Sequence, residues 1–236
     1  MKTLTKILFT ALLLAGFNSA FADTEDRHLS GFHAISVMGS FDVYVTQGPS
    51  ESVKVEAPAD VMSKIITEVK GDVLKVRNKD DNFNWRNLFS SNNHKKIVIY
   101  VTVKEVHDIS LSGSGDVFFK EGINAPKLSL SISGSGDVLG KVNVKSLESS
   151  ISGSGDIKLS GNAETSTIST NGSGDFSGRD LVTVNTMVRI SGSGDASVNA
   201  SQKVDARVSG SGDIRYTGGA TQVSSHTSGS GSVHKF

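Results

Sequence analysis

The sequence predicts an all-β protein: a single-stranded parallel β-helix entered through an irregular β-rich N-terminal cap. Two observations carry that expectation. The tetrapeptide Gly-Ser-Gly-Asp occurs six times, at Gly113–Asp116, Gly134–Asp137, Gly153–Asp156, Gly172–Asp175, Gly192–Asp195 and Gly210–Asp213, and a seventh copy, Gly229–Ser232, ends in Ser. Its fourth positions advance by 21, 19, 19, 20, 18 and 19 residues. A fixed period of this size marks a stack of structural rungs, one per repeat. The second observation is alternation on both sides of each copy. Leu111, Ile132, Ile151, Ile190 and Val208 stand two residues before the first glycine, and Val117, Val138, Ile157, Phe176, Ala196 and Ile214 stand one after the Asp. Period-two alternation flanking a corner means strand, corner, strand, with one face inward.

Taken in order, residues 1–22 read as a secretory signal peptide. Lys2 and Lys6 precede an apolar run, and Ala20-Phe21-Ala22 supplies a small-residue cleavage site. The run is too short to cross a hydrocarbon core of about 30 Å, so no membrane span is expected. Without residues 1–22 the chain has 22 Lys and Arg against 24 Asp and Glu, a net charge of −2. That balance gives no pull toward nucleic acid. There is no Cys, which removes disulfides, thiolate metal sites and a lipid anchor on cysteine. Exported through this leader, the protein is expected in the periplasm, at the outer surface or released.

Residues 23–29 read as a linker and 30–108 as the cap. Ile35 and Val37, then Phe41, Val43 and Val45, then Val53 and Val55 alternate as strands. Val61, Ile65, Ile66 and Val69 follow helical spacing after Pro58, and Gly71-Asp72 reads as a tight turn into another strand. Residues 79–96 interrupt the pattern with Asn, Asp and the chain's one Trp. This stretch reads either as a long hairpin loop folded back on the domain or as a recognition loop. In the second reading Phe83, Trp85, Arg86 and Phe89 would contact a surface glycan or protein ligand.

Residues 109–236 read as seven rungs. At a spacing of about 4.8 Å they make a rod of roughly 30–35 Å. Right-handed winding is favoured because parallel crossovers are overwhelmingly right-handed. The glycines supply the backbone freedom of a sharp corner, and Ser and Asp can bond nearby N–H groups. Register would stack Asp116, Asp137, Asp156, Asp175, Asp195 and Asp213 as a ladder of like charges that something must offset. Local N–H bonds with solvent are one answer; a row of calcium ions is the other. At the last rung Val233–Phe236 would close the end, with Lys235 guarding the edge.

The run Phe32-His33-Ala34-Ile35-Ser36-Val37, then Phe41-Asp42-Val43-Tyr44-Val45-Thr46-Gln47-Gly48, followed by serial Ser-Gly-Ser-Gly-Asp corners, resembles the putative auto-transporter adhesin head GIN domain proteins. The resemblance covers residues 30–236. It implies a bacterial envelope or secreted protein built on a single-stranded β-helix.

No catalytic pattern stands beside the repeats. A β-helix glycan-processing enzyme needs a unique group of carboxylates in a cleft, whereas these Asp residues share one environment. Arg179, Arg189, Arg207 and Arg215 crowd the later repeats and could line one face. The six His show no metal spacing, although His226 and His234 could meet across the final rung. The expected function is a non-catalytic binding or scaffold module, adhesion-like in action. Its contact sites would be the loop at 80–93 and a flat face rich in Ser and Thr. The alternatives are a β-helix-type glycan-processing enzyme and a calcium-stabilised structural solenoid.

Overall fold

The computed structural model describes residues 23–79 and 96–236. In chain order the elements are β1 (Asp23–Asp26), β2 (Ala34–Gly39), β3 (Asp42–Gln47), β4 (Ser52–Ala57), α1 (Ala59–Met62), β5 (Ile65–Lys70), β6 (Val73–Asn78) and β7 (Val98–Val103). Then come β8 (Asp108–Gly113), β9 (Val117–Gly134), β10 (Val138–Gly153), β11 (Ile157–Gly172), β12 (Phe176–Gly192) and β13 (Ala196–Gly210). The last are β14 (Ile214–Thr217), β15 (Gln222–Gly229) and β16 (Val233–Lys235).

From β8 onward the chain is a parallel β-solenoid. Each long strand makes most of one circuit and pairs in register with the next: Gly113, Gly134, Gly153, Gly172, Gly192, Gly210 and Gly229 are successive partners. The alternation noted in the sequence becomes columns of buried side chains. Leu111, Ile132, Ile151, Thr170, Ile190 and Val208 form one; Val117, Val138, Ile157, Phe176, Ala196 and Ile214 form another. Sizes compensate between rungs: the Phe119 ring occupies the space that a side chain on Gly140 would need. Polar intrusions are mostly satisfied. Ser166 and Thr183 both bond the Thr186 hydroxyl, at 2.8 and 2.6 Å. Ser149 and Thr170 are the exceptions in the solenoid core, each with a buried hydroxyl that has no partner among the described residues. Outside the core, Gln47 ties the start of the stack: its amide donates to the carbonyls of Lys104 and Asn124 and accepts the Asn124 N–H at 2.8 Å.

The parallel stack begins well before residue 109. β2 pairs in parallel with β8, and β3 with β9. Gly39-Ser40-Phe41-Asp42 is therefore a further corner, with Gly39 opposite Gly113 and Val43 opposite Val117. β6 and β7 lie in parallel on the other side of β2 and β3, so rung order in space departs from chain order. The cap proper is smaller than residues 30–108. It consists of β4 antiparallel on β7, β5 antiparallel on β6, the single turn α1, and β1 antiparallel on β4. β1 occupies most of the segment expected as a linker.

The helix read from Val61, Ile65, Ile66 and Val69 is one turn long; Ile65–Lys70 is instead a strand. The Gly71-Asp72 turn folds it onto β6 in register. Four apolar residues fit a helical stripe and a hairpin arm equally well, and the β6 edge decided between them. At the far end β16 pairs with β14, and the Phe236 N–H bonds the Tyr216 carbonyl. The Arg179 guanidinium lies 4.1 Å from the Phe236 ring centre. β15 is exposed along its whole length.

Two substitutions probe the stack. A methyl group on Gly155 would be driven into the Gly136 carbonyl oxygen one rung away. Gly155→Ala is expected to cost about 3 kcal/mol or more, read as a lower midpoint in thermal or urea unfolding; an unchanged midpoint would mean that the rungs are not packed this closely. Thr170→Val removes a buried hydroxyl without a partner and keeps its shape. It is expected to raise the melting temperature, by about 1 kcal/mol in stability; a fall would show that the hydroxyl is bonded.

Candidate binding surfaces

The repeated corner works by two devices, seen at Gly153–Asp156. Gly153 has φ of 130°, a conformation that side chains resist. Its partner glycine one rung back, Gly134, offers a carbonyl that accepts two N–H groups, from Ser154 at 2.9 Å and Gly155 at 3.2 Å. The turn leaves the next amide, Asp156 N–H, without a main-chain acceptor. It donates to Oδ1 of Asp137 at 2.9 Å. The same bond joins Asp137 to Asp116, Asp175 to Asp156, Asp195 to Asp175 and Asp213 to Asp195, at 2.7–3.0 Å. Each carboxylate thus holds the backbone of the following rung. This charge-assisted amide bond, rather than a bond within the same turn, offsets the like-charge stacking. Arg215 adds to it, bridging Asp195 at 3.1 Å and Asp213 at 3.2 Å.

The ladder has distinct ends. Asp116 N–H bonds the Phe41 carbonyl, while Asp42 pairs with Lys96 at 2.9 Å. Burial raises the Asp116 pKa above the usual carboxylate range, against the lowering effect of the Asp137 N–H. At the other end Ser232 donates both its hydroxyl and its N–H to Asp213 Oδ1. Those bonds hold the Asp213 pKa below the usual range. Ser232 thus stands where the preceding corners carry Asp, and it meets the Asp213 carboxylate as a donor rather than as a further like charge. Among the described residues no group of three or more Asp, Glu or His gathers as a metal cage.

Three outward surfaces flank the corners. Before them, two rows run along the solenoid: Ser110, Ser131, Ser150, Ser169, Arg189, Arg207 and His226, and Ser112, Ser133, Ser152, Asn171, Ser191, Ser209 and Ser228. The second row is exposed throughout. These rows carry the hydroxyls that the sequence alternation points outward. After the corners runs a row of Tyr100, Tyr44, Phe118, Leu139 and Lys158. Tyr44 stacks on Tyr100 and on Phe118 with ring centres 5.6 and 4.9 Å apart. These rings cover one another's faces, so the row first serves to hold rungs together. Burial, with the Glu56 carboxylate 3.4 Å away, raises the pKa of the Tyr100 phenol. The third surface is the corner edge itself.

The loop residues Phe83, Trp85, Arg86 and Phe89 lie outside the described residues. Of the strands that flank that segment in the chain, β6 pairs Arg77 with Met38 and β7 pairs Val98 with Asp42. The four later Arg do not share a face. Arg189 and Arg207 precede the corners, whereas Arg179 and Arg215 follow them and are engaged with Phe236 and with the Asp ladder. His226 and His234 stand on opposite sides of the last corner, on β15 and β16. The corner at Gly39–Asp42 escaped the repeat count because Phe41 stands where the others have Gly. Its signal was present in Ile35, Val37 and Val43, which keep the spacing of every other copy.

The amide-holding role of the ladder separates two substitutions. Asp156→Asn keeps an acceptor for the Asp175 N–H and is expected to cost little. Asp156→Ala removes it and is expected to cost about 1–2 kcal/mol by chemical unfolding. Equal losses in both would show that charge, not the bond, matters at this position.

Comparison with known proteins gives a consistent picture. A putative adhesin from Bacteroides fragilis has a similar structure, with a TM-score of 0.82 at 24% identity over 92% of this chain and 98% of that one. A putative lipid binding protein from Parabacteroides distasonis follows at 0.74 and 24%, over 92% and 98%. A putative adhesin from Parabacteroides merdae gives 0.69 and 20%, over 92% and 97%. At these identities the likeness is one of fold. No curated protein matches the sequence. The model of the family described as "Putative auto-transporter adhesin, head GIN domain" matches residues 31–220, and with its corners, its parallel stack and that match the chain belongs to this family.

Proposed function

We propose that the protein is an exported, non-catalytic binding and scaffold module of the bacterial envelope, adhesion-like in action. The observation that supports this reading is the uniformity of the corners. Their carboxylates bond the next rung one after another, where an enzyme would draw unlike groups to one place. The outward faces are repetitive, and the hydroxyls of Ser112, Ser133, Ser152, Ser191 and Ser209 bond nothing among the described residues. Such a surface suits contact with an extended ligand. In this reading the Asn-rich aromatic segment at 80–93 supplies Phe83, Trp85, Arg86 and Phe89 as contacts. The names of the similar structures, adhesins among them, agree with a binding role.

The test is binding of residues 23–236 to a panel of glycans and matrix proteins, with and without calcium. A variant with residues 81–93 replaced by a short Gly-Ser link runs alongside. Selective binding that is lost in the variant is the expected result. Absence of binding by either protein overturns the adhesion-like reading, and depolymerisation of any glycan overturns the non-catalytic one.

A further inference from the structure

Within the binding role proposed above, one part of the serine face differs from the rest. Along the row Ser110, Ser131, Ser150 and Ser169 the next three positions are Arg189, Arg207 and His226, each directly opposite the last in parallel register. Two arginines thus stand directly opposite each other on adjacent rungs, whose backbones lie about 4.8 Å apart, and like charges in that relation disfavour the pairing. Their neighbours offset it only in part. Arg207 uses Nε on Asp205 at 3.3 Å, leaving its two terminal nitrogens without a bond among the described residues. Arg189 has neither an ion pair nor a hydrogen bond there. In the same row as Asp205 stand Glu148, which pairs with Lys127 at 3.3 Å, and Asp108, at the other end of the row.

The cations line an open groove of about 500 Å³, with Ser169, Ser191, Ser209 and Ser228 along its walls. We infer that this groove binds the oxyanions, carboxylate or sulfate, of an acidic polysaccharide lying along the solenoid axis. Guanidinium forks fit such groups in bidentate fashion, and the serine rows on the same face offer hydroxyls to the sugar's own hydroxyls at every rung. Other polyanions fit less well. Among the described residues the exposed large apolar side chains, Met38, Tyr100, Val182, Val223 and Phe236, all lie outside the groove, and Ile190 and Val208 in its lining are buried, so no large exposed apolar anchor there favours a lipid surface or a protein interface. The chain as a whole is close to neutral, which gives no general attraction for nucleic acid.

The experiment measures binding of residues 23–236 to polygalacturonate, dextran sulfate, neutral dextran, poly-glutamate and anionic phospholipid vesicles at low salt. Arg189→Ala, Arg207→Ala and the double variant run in parallel, with far-ultraviolet circular dichroism and melting to verify the fold. The expected result is binding to one or both acidic polysaccharides, not to dextran, poly-glutamate or vesicles, with affinity about tenfold weaker in each single variant. Binding to polygalacturonate alone identifies carboxylate as the recognised group; binding to dextran sulfate alone identifies sulfate. Three results overturn the inference: no binding to either acidic polysaccharide, equal binding by the folded double variant, or equal binding to poly-glutamate or vesicles. Selective capture of a neutral glycan or matrix protein through residues 81–93 would leave the adhesion-like reading standing while this groove fails.

Discussion

A parallel ladder that turns a sharp corner must keep its amides bonded where the strand geometry breaks, and the rest of this protein depends on that condition. Regular strands satisfy their own N–H and C=O groups, but a turn does not. Here one glycine carbonyl takes two amides, and the third amide takes the carboxylate of the rung before. The solution repeats because the problem repeats. It also needs the absence of side chains at both glycines, since neighbouring rungs approach closely at the corner. Serine fills the solvent-facing place between them, where size and charge matter least.

From this constraint the surfaces follow. Every rung must return to the same place, so each outward position becomes a row running along the stack. Serine dominates the rows before the corner, and an aromatic set occupies the row after it near the cap. The rows are ladders before they are sites. Tyr100, Tyr44 and Phe118 show this: stacked ring on ring, they bind the rungs to one another. One row changes character late in the stack, where Arg189 and Arg207 follow serine.

The two ends solve the edge problem differently. At the start, antiparallel strands β4, β5 and β1 cover the parallel stack, and Lys96 neutralises the Asp42 carboxylate at its corner edge. At the finish, Ser232 closes the carboxylate ladder with two donors, and Phe236 is held by the Tyr216 carbonyl and the Arg179 guanidinium. β15 remains exposed with small polar residues at its inward positions, Ser225 and Thr227. Residues of that kind limit the hazard of an open edge.

The solenoid was legible in the sequence because its information is local and repeated. Spacing of Gly-Ser-Gly-Asp, with apolar residues two before and one after, determines rung, corner and inward column without knowledge of distant residues. The hydroxyl face followed from the same alternation. Tertiary structure alone decided what depends on contacts far apart in the chain. Ile65–Lys70 became a strand because β6 offered an edge; Asp23–Asp26 became one because β4 did. Gly39–Asp42 joined the stack through pairing with residues more than seventy positions later, and Phe41 hid it from a search for glycine. The partner of each Asp, one rung ahead rather than within its own turn, and the division of four arginines between two faces, also required the fold. A linear pattern states which residues share a row, but the winding of the chain decides which rows meet.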